Sequence, residues 1–328
     1  MADPNRRDWL AFIASATLAA CAWPAAAQPR YPDRPIRLIV PFAPSGVGDI
    51  VGRMWADKMS ALLGTVVIEN RGGASGMIGA GEVARATPDG YTILLGNTST
   101  QVLNPAIVAN PPYDAVKDFV TIGIVASSPF TIAVNPSVPA GNYEELIAYI
   151  KANPGKVSYG SAGTGTITHL AGELFKQVAG TPDIIHIPYK GGGPSISDLV
   201  SGHIPMVAVS ITSSVLELHR TGKIRIITVF SPQRVAVLPE VQSAADTDPR
   251  LVASIYMGLF APAATPKPII ERIAQATRAA SESEDYKNKL LTAGFDPVRD
   301  TPEEAQRFLE AERRRIGPLA KALDFKLQ

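Results

Sequence analysis

The sequence predicts an α/β fold with parallel-rich sheets, organised as two domains. Three observations carry this. The chain has 328 residues, 46% hydrophobic and 19% charged, enough to bury a large core and to split into two domains. Short β-branched runs, apolar on both faces, recur along it, as buried parallel strands do. Helix-length segments with polar caps separate many of these runs, and strand–helix alternation builds parallel sheets.

Residues 1–27 read as an export signal. Arg6-Arg7 form a positive start, Trp9–Ala20 is an uncharged apolar stretch too short to span a bilayer, and Ala25-Ala26-Ala27 is a small-residue cleavage pattern. Two refinements stand beside it. Arg6-Arg7-Asp8-Trp9-Leu10 is similar to a twin-arginine signal, and Leu18-Ala19-Ala20-Cys21 looks like a lipoprotein box with Cys21 as a lipid anchor. The later alanine site favours soluble export, with cleavage after Ala27 leaving 301 residues and no cysteine.

Strands are expected at Ile36–Val40, Val66–Ile68, Tyr91–Leu95, Ile122–Val125, Thr131–Val134, Val157–Tyr159, Ile184–Ile187, Met206–Val209 and Ile224–Val229. Asp49–Leu63 carries Ile50, Met54, Leu62 and Leu63 on one helical stripe. Asn142-Tyr-Glu-Glu145 starts a helix with a polar cap and a glutamate three residues on; Asn153-Pro-Gly155 ends it. Thr301-Pro302 starts another, with proline at the first helical position. Proline-rich breaks near Ser128-Pro129 and between Leu238 and Pro249 suggest that the chain crosses to a second domain and returns. The expected division is 28–128 plus 254–328 for one lobe and 129–253 for the other.

Composition excludes several functions. Lys and Arg total 31 against 30 Asp and Glu, and the longest basic run, Arg313–Arg315, lies in a helical pattern with acidic neighbours, so no basic face for nucleic acid is expected. High apolar content and low net charge disfavour disorder. A single cysteine and four scattered histidines offer neither a disulfide framework nor metal-ligand spacing, so no metal and no cofactor are expected.

Four loops each follow a strand and open a helix, where α/β sheets hold ligands and helix N-termini attract anions. The first, Pro41–Asp49, is built of small residues, with Asp49 able to cap the helix. The second, Asn70–Gly81, is glycine-rich but lacks the Gly-Lys-Ser/Thr end of a nucleotide loop, which leaves close helix packing or a cleft rim. The third, Tyr159–His169, is open to three readings. Ser161 sits in an incomplete nucleophile elbow. Gly163-Thr-Gly165 resembles part of a dinucleotide loop without its last glycine. A nest of hydroxyl and N–H groups for a carboxylate fits best. His169 is either a ligand contact or a structural hydrogen-bonding group. The fourth, His186–Gly193, offers Tyr189 as donor or stacking surface and Lys190 as charge partner or solvated turn charge.

Taken together these loops resemble the tripartite tricarboxylate transporter substrate-binding receptors, the Bordetella-uptake-type proteins. The resemblance runs from about Tyr31 to the C-terminus. Its pieces include Tyr31-Pro-Asp-Arg-Pro-Ile36, Pro41-Phe-Ala-Pro44, Pro88-Asp-Gly-Tyr91, Tyr159-Gly-Ser-Ala-Gly163, His169-Leu-Ala-Gly-Glu-Leu-Phe175 and Pro188-Tyr-Lys-Gly-Gly192, whose order and spacing are specific together. It implies a periplasmic, two-lobed receptor of the Venus-flytrap type with crossing hinge strands. Such a receptor takes a small organic carboxylate in its cleft and presents it to membrane permease subunits, working as a monomer. The ligand-binding positions it implies are Ala43, Ser45, Gly46, Asp49, Ser161, Gly163, Thr164, Thr166 and His169, with Tyr189 and Lys190 in the matching Pro-Tyr-Lys-Gly motif. The family commonly has two glycines where this chain has Ser45-Gly46, and polar or acidic residues around Met206–Val209 where this chain has Val209-Ser-Ile-Thr212. That loss of charge suggests a less polar, even aromatic, carboxylate. Two alternatives keep their place: a secreted serine hydrolase using Ser161, and a ligand sensor for a membrane signalling partner. The hydrolase needs a histidine beside Ser161, yet His169 lies two turns along the helix and His186 within a strand pattern.

Overall fold

The computed structural model describes residues 31–322, so the export signal over 1–27, its cleavage site and Cys21 lie outside the described residues. In the first lobe the chain builds β1 (Ile36–Val40), α1 (Val47–Leu62), β2 (Val66–Asn70), α2 (Met77–Ala84) and β3 (Thr92–Asn97). A π-helical turn over Ser99–Leu103 runs into the short α3 (Asn104–Ile107), which leads to β4 (Phe119–Val134). The second lobe holds α4 (Tyr143–Ala152), β5 (Ser158–Ser161), α5 (Ile167–Ala179), β6 (Ile185–Pro188), α6 (Gly192–Val200), β7 (Met206–Ser210), α7 (Ser213–Arg220), β8 (Arg225–Val229) and β9 (Gln242–Ser243). The chain returns through β10 (Ser254–Pro262) to α8 (Lys267–Glu282), α9 (Glu284–Thr292), β11 (Asp296–Pro297) and α10 (Pro302–Ala322).

The sheet runs β2-β1-β3-β10-β4-β7-β5-β6. The parallel pairing expected of the alternation is present: β1 pairs with β2 and β3, and β5 with β6 and β7. The two connecting strands run against them, β10 antiparallel to β3 and β4, and β4 antiparallel to β7 and β8. They travel between lobes and so enter each sheet from the opposite direction.

The two strands expected at Ile122–Val125 and Thr131–Val134 are one 16-residue strand, β4. Pro129 reads as a break in sequence because it cannot donate to a ladder. Here it sits at the change of partners. Residues up to Pro129 pair with β10, and Phe130 onward pairs with β7, so its missing N–H leaves no rung empty.

Local signals place the helices. Asn142 accepts from the Glu145 N–H at 2.9 Å while Glu145 accepts from the Gly141 N–H and the Asn142 side chain. Thr301 and Glu304 exchange N–H bonds reciprocally at the start of α10, a capping box. The core of the first lobe is anchored by Trp55, fully buried, with its indole N–H donating to Thr277 Oγ1 at 3.2 Å. The second lobe packs Val207, Val209, Val215, Ile226 and Leu238 into one cluster.

Candidate functional site: a cleft ringed by helix starts

The first wall is the loop after β1. Ser45 holds φ at +65° and donates its N–H to Asp49 Oδ2 at 3.0 Å. Arg53 grips the same carboxylate with two bonds of 3.0 and 3.1 Å. Burial pushes the Asp49 carboxyl up, but Arg53 and the Ser45 N–H outweigh it and hold the group below the usual carboxylate range. Asp49 therefore builds the loop. Ser45 occupies left-handed backbone that costs an L-residue about 1–2 kcal/mol. Because glycine also loses more entropy on folding, Ser45→Gly is expected to stabilise by about 0.5 kcal/mol in urea unfolding. Destabilisation would show that the serine side chain matters more than the backbone strain.

The second wall is the turn between β5 and α5, and it is held from within. Ala162 N–H donates to Thr168 Oγ1 (3.0 Å), Gly163 N–H to Ser161 Oγ (3.1 Å) and Gly165 N–H to His169 Nδ1 (3.2 Å). Thr166 caps α5, accepting from His169 N–H while donating to Gly163 O at 2.7 Å. Gly163 has φ of +132°, and a Cβ there would lie 2.8 Å from Tyr189 O, so only glycine fits. Two bonds reach this wall from the first lobe: Ser75 Oγ donates to Thr164 O, and Ile167 N–H donates to Ser99 Oγ at 3.0 Å.

The third wall is the start of α6. Tyr189 donates its hydroxyl to Asp198 at 2.7 Å, and burial followed by that carboxylate pushes the phenol up to about 12. Gly191, Gly192 and Gly193 follow, bringing bare backbone to the cleft. Thr212 closes the ring as the cap of α7, accepting from Val215 N–H.

An inner cleft joins these walls, and the structure distributes the eleven expected positions unequally around it. Ala43, Ser45, Gly46 and Thr166 line the inner cleft. Gly163, Thr164, Tyr189 and Lys190 line a wider adjoining recess with Asn70 and Gly72–Met77, which makes the second glycine-rich loop a rim. Asp49, Ser161 and His169 line neither: Asp49 is spent on Ser45 and Arg53, and the other two lie behind the 162–166 turn. Sequence spacing shows that these residues are near a loop, but not which side of it they face.

The structure adds lining residues beyond the eleven expected positions: Thr168, Gly191–Gly193, Val209, Ser210 and Thr212 from segments the sequence had singled out, and Asn97, Ser99, Ile196 and Ile255 from outside them. A polar run, Asn97-Thr-Ser-Thr100, directly after an apolar strand was the available signal for two of them. Ser210 Oγ, on a residue 3% exposed, has no hydrogen-bond partner among the described residues.

Among the described residues no charged side chain lines the inner cleft. Its polarity comes from hydroxyls, one amide and the first turns of α1, α5, α6 and α7. Each helix start carries about half a positive charge and N–H groups without an intrahelical partner, of which Ser99 and Thr166 meet two in α5 and Thr212 one in α7. Converging, they make a site for an anion with an apolar body, since Phe42, Val47, Ile167, Ile196, Val209 and Ile255 supply the remaining walls.

His186 corrects one expectation. The pairing in β6 brings its Nε2 within 2.7 Å of Ser161 Oγ, a contact the strand pattern had hidden. Ser161 is nevertheless fully buried, and its hydroxyl is engaged by Gly163.

Residues 51–325 match the model of the tripartite tricarboxylate transporter family receptor. Among solved structures, the periplasmic binding protein BugD is 32% identical with a TM-score of 0.86, over 91% of this chain and 100% of its own. Rpa4515 of Rhodopseudomonas palustris, solved with adipate, is 30% identical with a TM-score of 0.87, over 90% and 99%. MatC from the same organism, solved with malate, is 26% identical with a TM-score of 0.83, over 88% and 99%. With the model matched across most of its length and such structures superposing on both lobes, this chain belongs to the tripartite tricarboxylate transporter receptor family.

Proposed function

We propose that this chain is an exported receptor that captures a small organic carboxylate between its lobes and delivers it to membrane permease subunits. The observation that carries the reading is the convergence of four helix starts on a cleft with no charged side chain among the described residues. Such a cleft neutralises a carboxylate through backbone N–H groups and leaves apolar walls for its body. Adipate and malate in the two Rhodopseudomonas structures are of that class. Capture works by closing lobes 28–128 plus 254–328 and 129–253 about β4 and β10. Within this reading Ala43, Ser45, Gly46 and Thr166 contact the ligand and Gly163, Thr164, Tyr189 and Lys190 shape the mouth. Asp49, Ser161 and His169 hold the loops.

A thermal-shift screen of the protein from residue 28 tests it, with adipate, malate, citrate, glutamate and benzoate. A binder at 100 times its Kd adds about 2.7 kcal/mol. No shift with any of these anions would remove the carboxylate assignment. N-terminal mass analysis of the exported protein separates cleavage after Ala27 from lipidation at Cys21. The serine hydrolase reading finds its Ser–His pair but no access, because Ser161 is buried behind the turn.

A further inference from the structure

We propose that His169 is a positioning residue of the cleft: its unprotonated Nδ1 holds the Gly165 amide, and with it the 162–166 turn, while the stacked His186 ring locks its orientation. The inference rests on the receptor reading for its functional meaning, but the clamp itself is read from the turn alone.

The two imidazoles are stacked, with centroids 3.7 Å apart and planes 9° from parallel. Because Gly165 N–H donates to His169 Nδ1, that nitrogen carries no proton and the ring is the Nε2–H tautomer. His186 Nε2 meets Ser161 Oγ at 2.7 Å, and that oxygen accepts from Gly163 N–H. Two alternate N–H groups of the turn thus end on the stacked pair, one directly and one through a hydroxyl. Ala162 ends on Thr168, which does not titrate.

The two rings respond differently to a proton. Ser161 has two lone pairs and a second acceptor in Gly163 O at 3.3 Å, so it can accept from a protonated His186 and keep its bond to Gly163. His169 has no such freedom. A proton on Nδ1 sets N–H against N–H and releases Gly165. It also adds positive charge to a ring stacked on another imidazole.

Among the described residues, titratable and charged groups facing the pair include Glu173 and Lys176 of α5 and Tyr159 of β5. Glu173 lies 3.9 Å from His169 Nε2, too far for a hydrogen bond, and is already engaged by Lys176 at 2.9 Å and the Tyr159 hydroxyl at 2.8 Å. Burial, then the neighbouring ring and Lys176, hold His169 down to about 3. Burial holds His186 down to about 4 despite Glu173.

The sign follows. Above pH about 6.5 both rings are neutral in folded and unfolded chains alike. As pH falls below that value the unfolded chain takes up protons that the folded one refuses. Stability is therefore lost progressively from about 6.5 toward the folded values of about 4 and 3. Asp300, pushed by burial up to about 6, acts in the opposite sense below that pH, so whole-protein acid curves do not isolate the pair.

The test uses the ligand-free protein from residue 28 and three variants of one position. Amide protection factors of Gly163 and Gly165 are measured by NMR at pH 7 and pH 4, beside adipate affinity by calorimetry. His169→Ala is expected to lower Gly165 protection at least tenfold at pH 7. His169→Asn, whose Oδ1 replaces Nδ1 without titrating, is expected to restore it and to flatten its fall between pH 7 and pH 4. His169→Gln, which displaces the acceptor by one carbon, is expected to restore it less well. Unchanged Gly165 protection in His169→Ala would overturn the proposal, and so would an acid response of His169→Asn equal to that of the parent. If His169→Ala fails to fold, the Asn comparison decides alone. Absence of adipate binding at pH 7 in the parent bears on the receptor reading, whereas the protection factors judge the clamp without any ligand.

Discussion

Gly193→Asp is expected to fold like the parent and to lose carboxylate binding by at least about 100-fold. A Cβ at Gly193 meets nothing within 4 Å, and the residue lies in the first turn of α6, where an acidic side chain suits the helix dipole. The same position lines the inner cleft. A fixed carboxylate there competes for the N–H groups a ligand carboxylate would use and repels it. Like charges about 4 Å apart at an effective dielectric of about 20 cost roughly 4 kcal/mol, more than the 100-fold stated. Gly193→Asn adds the same bulk without the charge and serves as the control. Calorimetric titration with whichever carboxylate the thermal-shift screen selects provides the readout. Equal losses for Asp and Asn would mean that shape, not charge, governs the cleft.

Gly172→Ala is expected to cost about 3 kcal/mol of stability by urea unfolding. Gly172 lies on the buried face of α5, and a methyl group there would overlap the Tyr159 ring. That ring has nowhere to go. It is fully buried, it stands 4.9 Å from His186, and its hydroxyl donates to Glu173. Overpacking of a core that cannot give costs about 1–3 kcal/mol, and the rigid backing places this site at the upper end. Because α5 carries the 162–166 turn on its first residues, affinity is expected to fall with stability. A loss below about 1 kcal/mol would show that α5 can slide away from the sheet.

The parts of the fold legible in sequence were those decided within a few residues. Hydrophobic runs gave β1, β7 and β8 nearly to the residue, and the caps at Asn142 and Thr301 marked true helix starts. The structure places residues of the four loops around the inner cleft and its adjoining recess, the second as a rim, and adds the start of α7, which the loops did not include. What stayed hidden was set by long-range pairing. Pro129 looked like an ending because its effect on a strand depends on which neighbour stands opposite: Ser254, 125 residues on, faces Pro129, and Ser210, 80 residues on, faces Phe130.

The site divides the same way. Sequence by itself determined an α/β chain of two lobes and loops of small residues opening helices, because composition, periodicity and capping are local properties. Only the tertiary structure decided which face of each loop meets the cleft. Asp49 turns to Arg53, His169 turns to Gly165, and Ser161 meets a histidine from the next strand, while Asn97 and Ser99 at the end of β3 and Ser210 at the end of β7 line the inner cleft together although they are over 100 residues apart in the chain. A side chain's direction depends on what the rest of the fold leaves unsatisfied around it. A buried N–H or carboxylate takes the nearest partner, and sequence spacing does not record which partner that is.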